Sequence, residues 1–358
     1  MHLQFRQHRH FLWRCSRMNV HVLADLNDAC KQFVRRQPDG RVCHLQAWAH
    51  AAASAAKLKS YYLVARDAGG IKGVLPLIHA RSRLFGNFMV SQAFSDHGGI
   101  LSDSPQARDA LFDRAVEIAT DKKCDSIEFR NVIPLPYDLH TRKGKMVMYL
   151  PLDSDPEKIW KAFNCKVRNQ VRKAEKSGIV VSQGGTDQLT EFYSVYAKRM
   201  RQLGTPVFPS KLLKNLMDTL PENSRLFLAR LNNQTIGGAL TFCFNGYAEI
   251  PFASTLVEYN RLCPNNLLYW SIIKHYCLQD ANFFDFGRCS VDGPTHRFKK
   301  QWGPEPVDLH YQYWTRPGYE LSLLSPDNPK FRKKIELWKK LPLWATRIAG
   351  PIISRKLP

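Results

Sequence analysis

The chain has 358 residues, 44% of them apolar and 11% aromatic, and carries 52 Lys and Arg against 31 Asp and Glu, a net charge of +21. That length allows about two domains, and the apolar content can fill their cores, which argues against a disordered polyelectrolyte. No run approaches the ~18 apolar residues of a membrane span, so a helical integral membrane protein is not expected.

Residues 1–18 are rich in His and Arg and lack the apolar core of a signal peptide, which argues against secretion. They read as a disordered arm or an upstream mis-start, with Met18 opening the first ordinary segment. The nine cysteines are scattered singly and none forms a CxxC pair, so reduced thiols in a cytosolic protein are expected, with no disulfide framework and no metal site.

Helical pattern is predicted over 25–37 and 45–58, then a hairpin over 61–78 around a Gly-Gly turn, a strand at 87–92, a helix over 105–123 and a strand at 126–131. The Pro-containing LPLDSDP at 150–156 marks a boundary. Beyond it come helical pattern over 156–177 with Gly178 as C-cap, helices over 187–203 and 210–220, and a hairpin over 225–243 around an Asn-Asn turn. A strand at 248–254, a helix over 264–280 and a strand at 283–287 complete the series. The two hairpins resemble each other. Ala65-Arg66 matches Ala229-Arg230, and Ile71, Gly73 and Leu75 match Ile236, Gly238 and Leu240, with one extra residue in the second turn. Each hairpin has helices before it and a strand, helix and strand after it. A duplicated α/β unit is the reading, against two unrelated hairpins.

Two basic segments stand out. Over 166–176, Arg168, Arg172 and Lys176 share one helix face, suited to a polyanion or simply solvated. The tail, 326–358, interleaves nine Lys and Arg with Trp338, Trp344, Ile348 and Ile352. It reads either as an interfacial helix on anionic lipid, cut by Pro342 and Pro351, or as a helix packed on the second domain.

Three segments, KVRNQVRKAEKSGI (166–179), LGTPVFP (203–209) and FDFGRCSVDGPTHRFKKQWGPEPVDLHYQYW (284–314), resemble the FemAB-like branch of the GNAT acyltransferase superfamily. The resemblance is nearest to FemAB-related proteins that accompany exosortase/PEP-CTERM systems, and it runs from about residue 19 to 316. It implies an α/β (α+β) fold of tandem GNAT-like domains, each a mixed central sheet flanked by helices, over 19–152 and 153–325, with the main substrate groove in the second. It further implies transfer of an acyl or aminoacyl group to an amine of a cell-envelope or exopolysaccharide-related precursor, in the cytoplasm and peripheral to its membrane. The donor would be aminoacyl-tRNA or an acyl-CoA or acyl carrier protein, with no bound cofactor. The Gln/Arg-x-x-Gly-x-Gly/Ala signature of CoA binding is absent from both halves.

Carried onto this sequence, the resemblance gives Lys299 or Lys300 the task of meeting substrate phosphate and transition-state charge. Alternation along a strand would turn only one of them, Lys299, into the groove. Arg288 and Arg297 would face the donor phosphate, Phe298 with Trp302 reads as core sooner than as a substrate platform, and Asp96 and His97 of the Ser-Asp-His-Gly-Gly run would line the acceptor side; Arg168 and Arg172, read from their shared helix face, would meet the polyanion. His296, Glu249, Asp285 and Asp96 are candidate general bases, and spacing singles out none. A non-catalytic GNAT-fold protein that binds tRNA or an anionic membrane is the alternative, since charge alone gives affinity for polyanions. No helix-turn-helix, zinc-finger or RNP pattern points to sequence-specific recognition.

Overall fold

The computed structural model describes residues 18–82, 85–321 and 329–355. All but Met18 of the arm expected over 1–18 lies outside the described residues. The first half contains β1 (Asn19–Leu23), α1 (Asp28–Arg36), α2 (Gln46–Ala56), β2 (Lys59–Asp67), β3 (Gly70–Ser82), β4 (Gly86–Ser91), β5 (Leu101–Ser102), α3 (Pro105–Asp121), β6 (Ser126–Asn131), β7 (His140–Arg142) and β8 (Lys145–Pro151). The second contains α4 (Pro156–Ala162), α5 (Cys165–Lys176), β9 (Val180–Gly184), α6 (Leu189–Leu203), α7 (Ser210–Thr219), β10 (Ser224–Leu231), β11 (Gln234–Phe244), β12 (Tyr247–Thr255) and α8 (Pro264–Cys277). It continues with β13 (Phe283–Asp285), β14 (Cys289–Ser290), α9 (Pro294–Lys300), β15 (Glu305–Asp308), β16 (His310–Thr315), α10 (Pro329–Lys340) and α11 (Leu343–Ser354).

Local chemistry sets several boundaries. The Ser104 hydroxyl accepts the Ala107 N–H with Pro105 in the first turn, starting α3. Gly204, at φ +77°, ends α6. The single helix expected over 156–177 is two: Phe163 and Asn164 are extended, and the Asn164 side chain caps α5 by accepting the Val167 N–H at 2.9 Å.

The architecture is two mixed sheets, each flanked by helices. One runs β1-β2-β3-β4-β6-β16-β7 with β5 against β3; the other runs β14-β8-β13-β12-β11-β10-β9 with β15 against β8. Each contains a helical crossover between parallel strands, β4-α3-β6 and β12-α8-β13. The strands that close the halves are exchanged. β8, reached from the first sheet, pairs with β13, and β16, reached from the second, pairs with β6 and β7. Val147 and Tyr149 of β8 and Tyr311 and Tyr313 of β16 meet in a small buried cluster where the exchanged strands pass.

The repeat is visible in the ladders. Both hairpins carry a bulge at the same place, after Ala65 in one and after Ala229 in the other. Pairing corrects the expected alignment: Ala65 faces Gly73 and Ala229 faces Gly237, so Gly73 corresponds to Gly237 and not to Gly238. Asp67 pairs with Gly70 and Leu231 with Gln234, so both turns have two residues and the second holds no extra one. The Asn232-Asn233 turn has φ of 49° and 63°, the left-handed geometry that matches hairpin twist.

The main core lies between the sheets, where Phe33 of α1, Trp48 and Ala52 of α2, Phe192 of α6 and Leu212 and Leu216 of α7 meet Val64, Val74, Leu240 and Phe242. Outside, α3 covers the first sheet, and α5 and α8 cover the second. Among the described residues no helix is long and apolar enough to cross a membrane.

Candidate active site

In both sheets the parallel pair holds for three residues and then parts. β4 and β6 pair from Phe88 and Ser126 to Val90 and Glu128; β12 and β13 pair from Tyr247 and Phe283 to Glu249 and Asp285. The strand ends beyond such a parting leave room between them. At the second parting, Glu249, Asp285 and Tyr149 are successive register partners on β12, β13 and β8 and so share a face. Their neighbours Ala248, Phe284, Leu150 and Ile250 belong to the outer core, which turns the row inward toward the first half.

The first half meets this row with the loop after β4 and the segment before α2. His97 sits between Asp285 Oδ2, 3.4 Å from its Nε2, and Cys43 Sγ, 3.4 Å from its Nδ1. Asp285 Oδ1 also accepts the Gly287 N–H at 2.7 Å. Burial disfavours the His97 imidazolium, but Cys43, Tyr149 and Asp285 outweigh it and hold its pKa well above the ordinary histidine value. Arg41 stacks its guanidinium 3.3 Å from the Tyr247 ring centre, with its Nε buried and unpartnered. The Tyr149 hydroxyl and Glu249 Oε1 are also buried without a hydrogen-bond partner.

Glu249 is the distinctive group. It is 7% exposed, and burial pushes its carboxyl up to about 7 against the pull of His97 and Arg41. The corresponding pair of the first sheet is Val90 and Glu128. There Glu128 is fully engaged: Arg130 Nε donates to it at 2.6 Å and the Tyr313 hydroxyl at 3.0 Å. Of the two partings, the second alone presents a carboxylate with an unpartnered oxygen and a pKa near neutrality, the combination a general base needs.

A cavity of about 320 Å³ opens within the first half, lined by Arg41, His44, His97, Arg108, Arg130 and Asn131 among others; it shares Arg41 and His97 with the site, while Glu249, Asp285 and Tyr149 do not line it. Burial pushes the His44 imidazole down to about 3, so the cavity's cationic groups are His97, Arg41, Arg108 and Arg130, the last two paired with Asp109 and Glu128, against the acids Asp39 and Asp103.

Asp96, His97, Arg288 and Lys299 come together here. Asp96 accepts the Arg288 N–H at 2.7 Å, and Tyr311 donates to the Asp96 carbonyl at 2.5 Å. Residues 294–300 form the helix α9 and not a strand, so adjacent lysines diverge by the helical turn instead of by alternation. Lys299 is buried and donates to the carbonyls of Gly287 at 2.6 Å and Arg288 at 3.0 Å; Lys300 is exposed. The buried lysine braces the turn that carries Arg288. Burial pulls its pKa below the ordinary lysine value.

The other expected residues lie elsewhere. Phe298 packs against Tyr269 and Trp302 in the outer core, and the exposed Arg297 donates to the Asp292 carbonyl at 3.4 Å. Arg168 and Arg172 lie on α5, on the far face of the second sheet, where Arg172 sits over Trp160. Arg168 donates to the Lys161 carbonyl. His296 is held at α9 by the Asp292 N–H. Sequence reasoning missed Arg41, Cys43, Arg130 and Tyr149, which carry no local motif, and Tyr311, which lies within the 284–314 segment but was not singled out there.

Residues 162–300 match the family model described as an acetyltransferase (GNAT) domain. No curated protein sequence matches the chain. Among solved structures, FemX superposes with a TM-score of 0.66 at 17% identity, covering 82% of this chain and 97% of FemX. The C-terminal domain of a protein described as a lysylphosphatidylglycerol synthetase from Agrobacterium fabrum gives 0.55 at 12%, covering 80% and 90%. A tandem GNAT protein of the clavulanic acid biosynthesis pathway gives 0.53 at 13%, covering 84% and 98%. At these identities the likeness establishes the fold, a tandem GNAT arrangement.

Proposed function

We propose that the chain is an N-acyltransferase that moves an activated acyl or aminoacyl group onto the amine of a cell-envelope or exopolysaccharide-related precursor, working in the cytoplasm. The carrying observation is Glu249, a buried carboxyl with one unpartnered oxygen and a pKa near neutrality, within the electrostatic reach of His97 and Arg41. The GNAT match over 162–300 and the tandem fold shared with FemX support the reaction class.

In the proposed reaction a neutral amine attacks the donor carbonyl, forming a C–N bond. The ammonium proton passes to the Glu249 carboxylate, the C–O bond of an ester donor, or C–S bond of a thioester, then breaks, and the leaving oxygen or sulfur takes that proton from Glu249 and departs as the alcohol or thiol. His97, held cationic between Asp285 and Cys43, and the guanidinium of Arg41 supply positive charge near the developing oxyanion. Lys299 is a positioning residue in this scheme, through its two carbonyl bonds to the turn at Arg288. Aminoacyl-tRNA, acyl-CoA and acyl carrier protein are the candidate donors. The test is amide formation with each donor over a panel of amines. Turnover by the wild type that falls at least ~100-fold in Glu249→Gln supports the reading, and turnover that is unchanged in that variant overturns it.

A further inference from the structure

The cationic C-terminal helices show an inversion of ordinary packing. α11 docks through its small side: Thr346, Gly350 and Ser354, spaced four apart, are buried, and the Ser354 hydroxyl donates to the Val207 carbonyl at 2.8 Å. A Cβ on Gly350 would stand 2.9 Å from Val207, so the helix sits directly on the 204–207 loop. Arg201 of α6 donates to the Leu341 carbonyl at 2.8 Å, fixing the joint between α10 and α11. The opposite side of α11 turns its bulk outward: Trp344 is 69%, Ile348 63% and Ile352 53% exposed, again four apart. Leu337 of α10 is 63% exposed.

Among the described residues twelve large apolar side chains are exposed, and four of them lie in these two helices. The remaining eight are scattered and need no explanation. By sequence, residues 329–355 hold eight Lys and Arg and one acid, Glu336. Arg332, Lys333, Lys340 and Arg347 are exposed, while Glu336 is taken by Lys339 at 2.7 Å. Pro342 separates the helices, and Pro351 lies inside α11 without breaking it.

We propose that this outward face of α10 and α11 docks the protein on an anionic lipid bilayer, with Trp344, Ile348, Ile352 and Leu337 entering the headgroup and acyl boundary and the basic side chains meeting lipid phosphates. The two features need the same partner. A nucleic acid offers phosphate but no apolar medium for two isoleucines, and a second copy of the chain offers apolar surface but brings like charge against like charge. An anionic bilayer supplies both. Small buried residues on the docked side leave the bulky side free without unfolding the helix, so binding costs no rearrangement of the fold.

The test is co-flotation of the full chain with vesicles of phosphatidylcholine alone and of phosphatidylcholine with phosphatidylglycerol, for wild type and for Ile348→Glu with Ile352→Glu. Preferential flotation with anionic vesicles that falls at least ~10-fold in the variant, with unchanged thermal unfolding, is expected. Equal flotation on both vesicles, or equal binding by wild type and variant, overturns the proposal. It is also overturned if the wild type stays off vesicles but self-associates in sedimentation velocity, or binds tRNA, and the same substitutions abolish that. Binding needs no turnover, so this result and the transferase test stand or fall separately.

Discussion

Asp96 and Arg288, 192 residues apart, are joined twice: the carboxylate accepts the Arg288 backbone N–H at 2.7 Å and stands 3.4 Å from its Nε. One residue lies on the loop after β4 and the other beyond β13, so the contact fastens the two halves at the site. Gly287 stands beside it at φ +73°, and a Cβ there would lie 3.2 Å from Asp96 Oδ2.

Gly287→Ala is expected to destabilise by about 2 kcal/mol, from the left-handed backbone and from displacing Asp96. Gly144 has nearly the same φ, +80°, with nothing within 4 Å of a Cβ. Gly144→Ala should therefore cost only the backbone share, about 1 kcal/mol, and leave transfer intact. Urea unfolding and the transfer assay on both variants check this; equal losses would remove the argument from Asp96.

Lys299→Met leaves two carbonyls of a part-buried turn without their donor and should cost about 1–3 kcal/mol. Lys300→Ala, at an exposed position, should stay within about 0.5 kcal/mol. Thermal unfolding separates them. If Lys300→Ala lowers transfer while stability holds, the exposed lysine touches the donor, and the phosphate role falls to Lys300.

Glu249 gives a pH dependence with a definite sign. Its pKa rises from 4.5 to about 7 on folding, so between those values the native state holds a proton that the unfolded chain has lost. Stability therefore decreases as pH climbs through that window, by about 3 kcal/mol, and is level above it. Glu249→Gln should flatten this slope. In the wild type kcat/KM should rise with a midpoint near pH 7 as the base deprotonates, and the variant should lack that limb. A variant that keeps both the slope and the limb would assign them to another group.

Strand exchange couples the halves. Gln312 of β16, 3% exposed, accepts the Leu135 N–H at 2.6 Å and donates to its carbonyl at 3.0 Å. Gln312→Leu strands both backbone groups and should cost about 2–4 kcal/mol. The loss should appear in one shared unfolding transition, read alike by far-UV dichroism and tryptophan fluorescence. Two separated transitions would show that the halves are not interlocked.

Much of the fold was legible. The expected hairpins, the strands at 87–92 and 126–131 and the helices of both copies, apart from the 156–177 segment that breaks in two at Phe163 and Asn164, fall within a few residues of their observed bounds, because caps, turns and side-chain period are local signals. β8, β15 and β16 escaped, since their place comes from partners in the other half. The expected site was legible in part. Asp96, His97 and Arg288 announce themselves by the Ser-Asp-His-Gly-Gly run and the Asp-Phe-Gly-Arg strand end, whereas Arg41 and Tyr149 stand in unremarkable stretches. Lys299 and Lys300 were indistinguishable as letters; the α9 helix buries one and exposes the other.

The sequence by itself determined the periodicity of helices and strands, the duplication of an α/β unit and the concentration of positive charge in the tail, all properties of neighbouring residues along the chain. The tertiary structure decided which sheet each closing strand joins, which face of α11 is outward, and which of the three candidate carboxylates, Glu249, Asp285 and Asp96, keeps an unpartnered oxygen. The reason is physical: strand pairing and burial depend on residues distant in sequence, and the charge on Glu249 depends on how much water the assembled fold leaves around it.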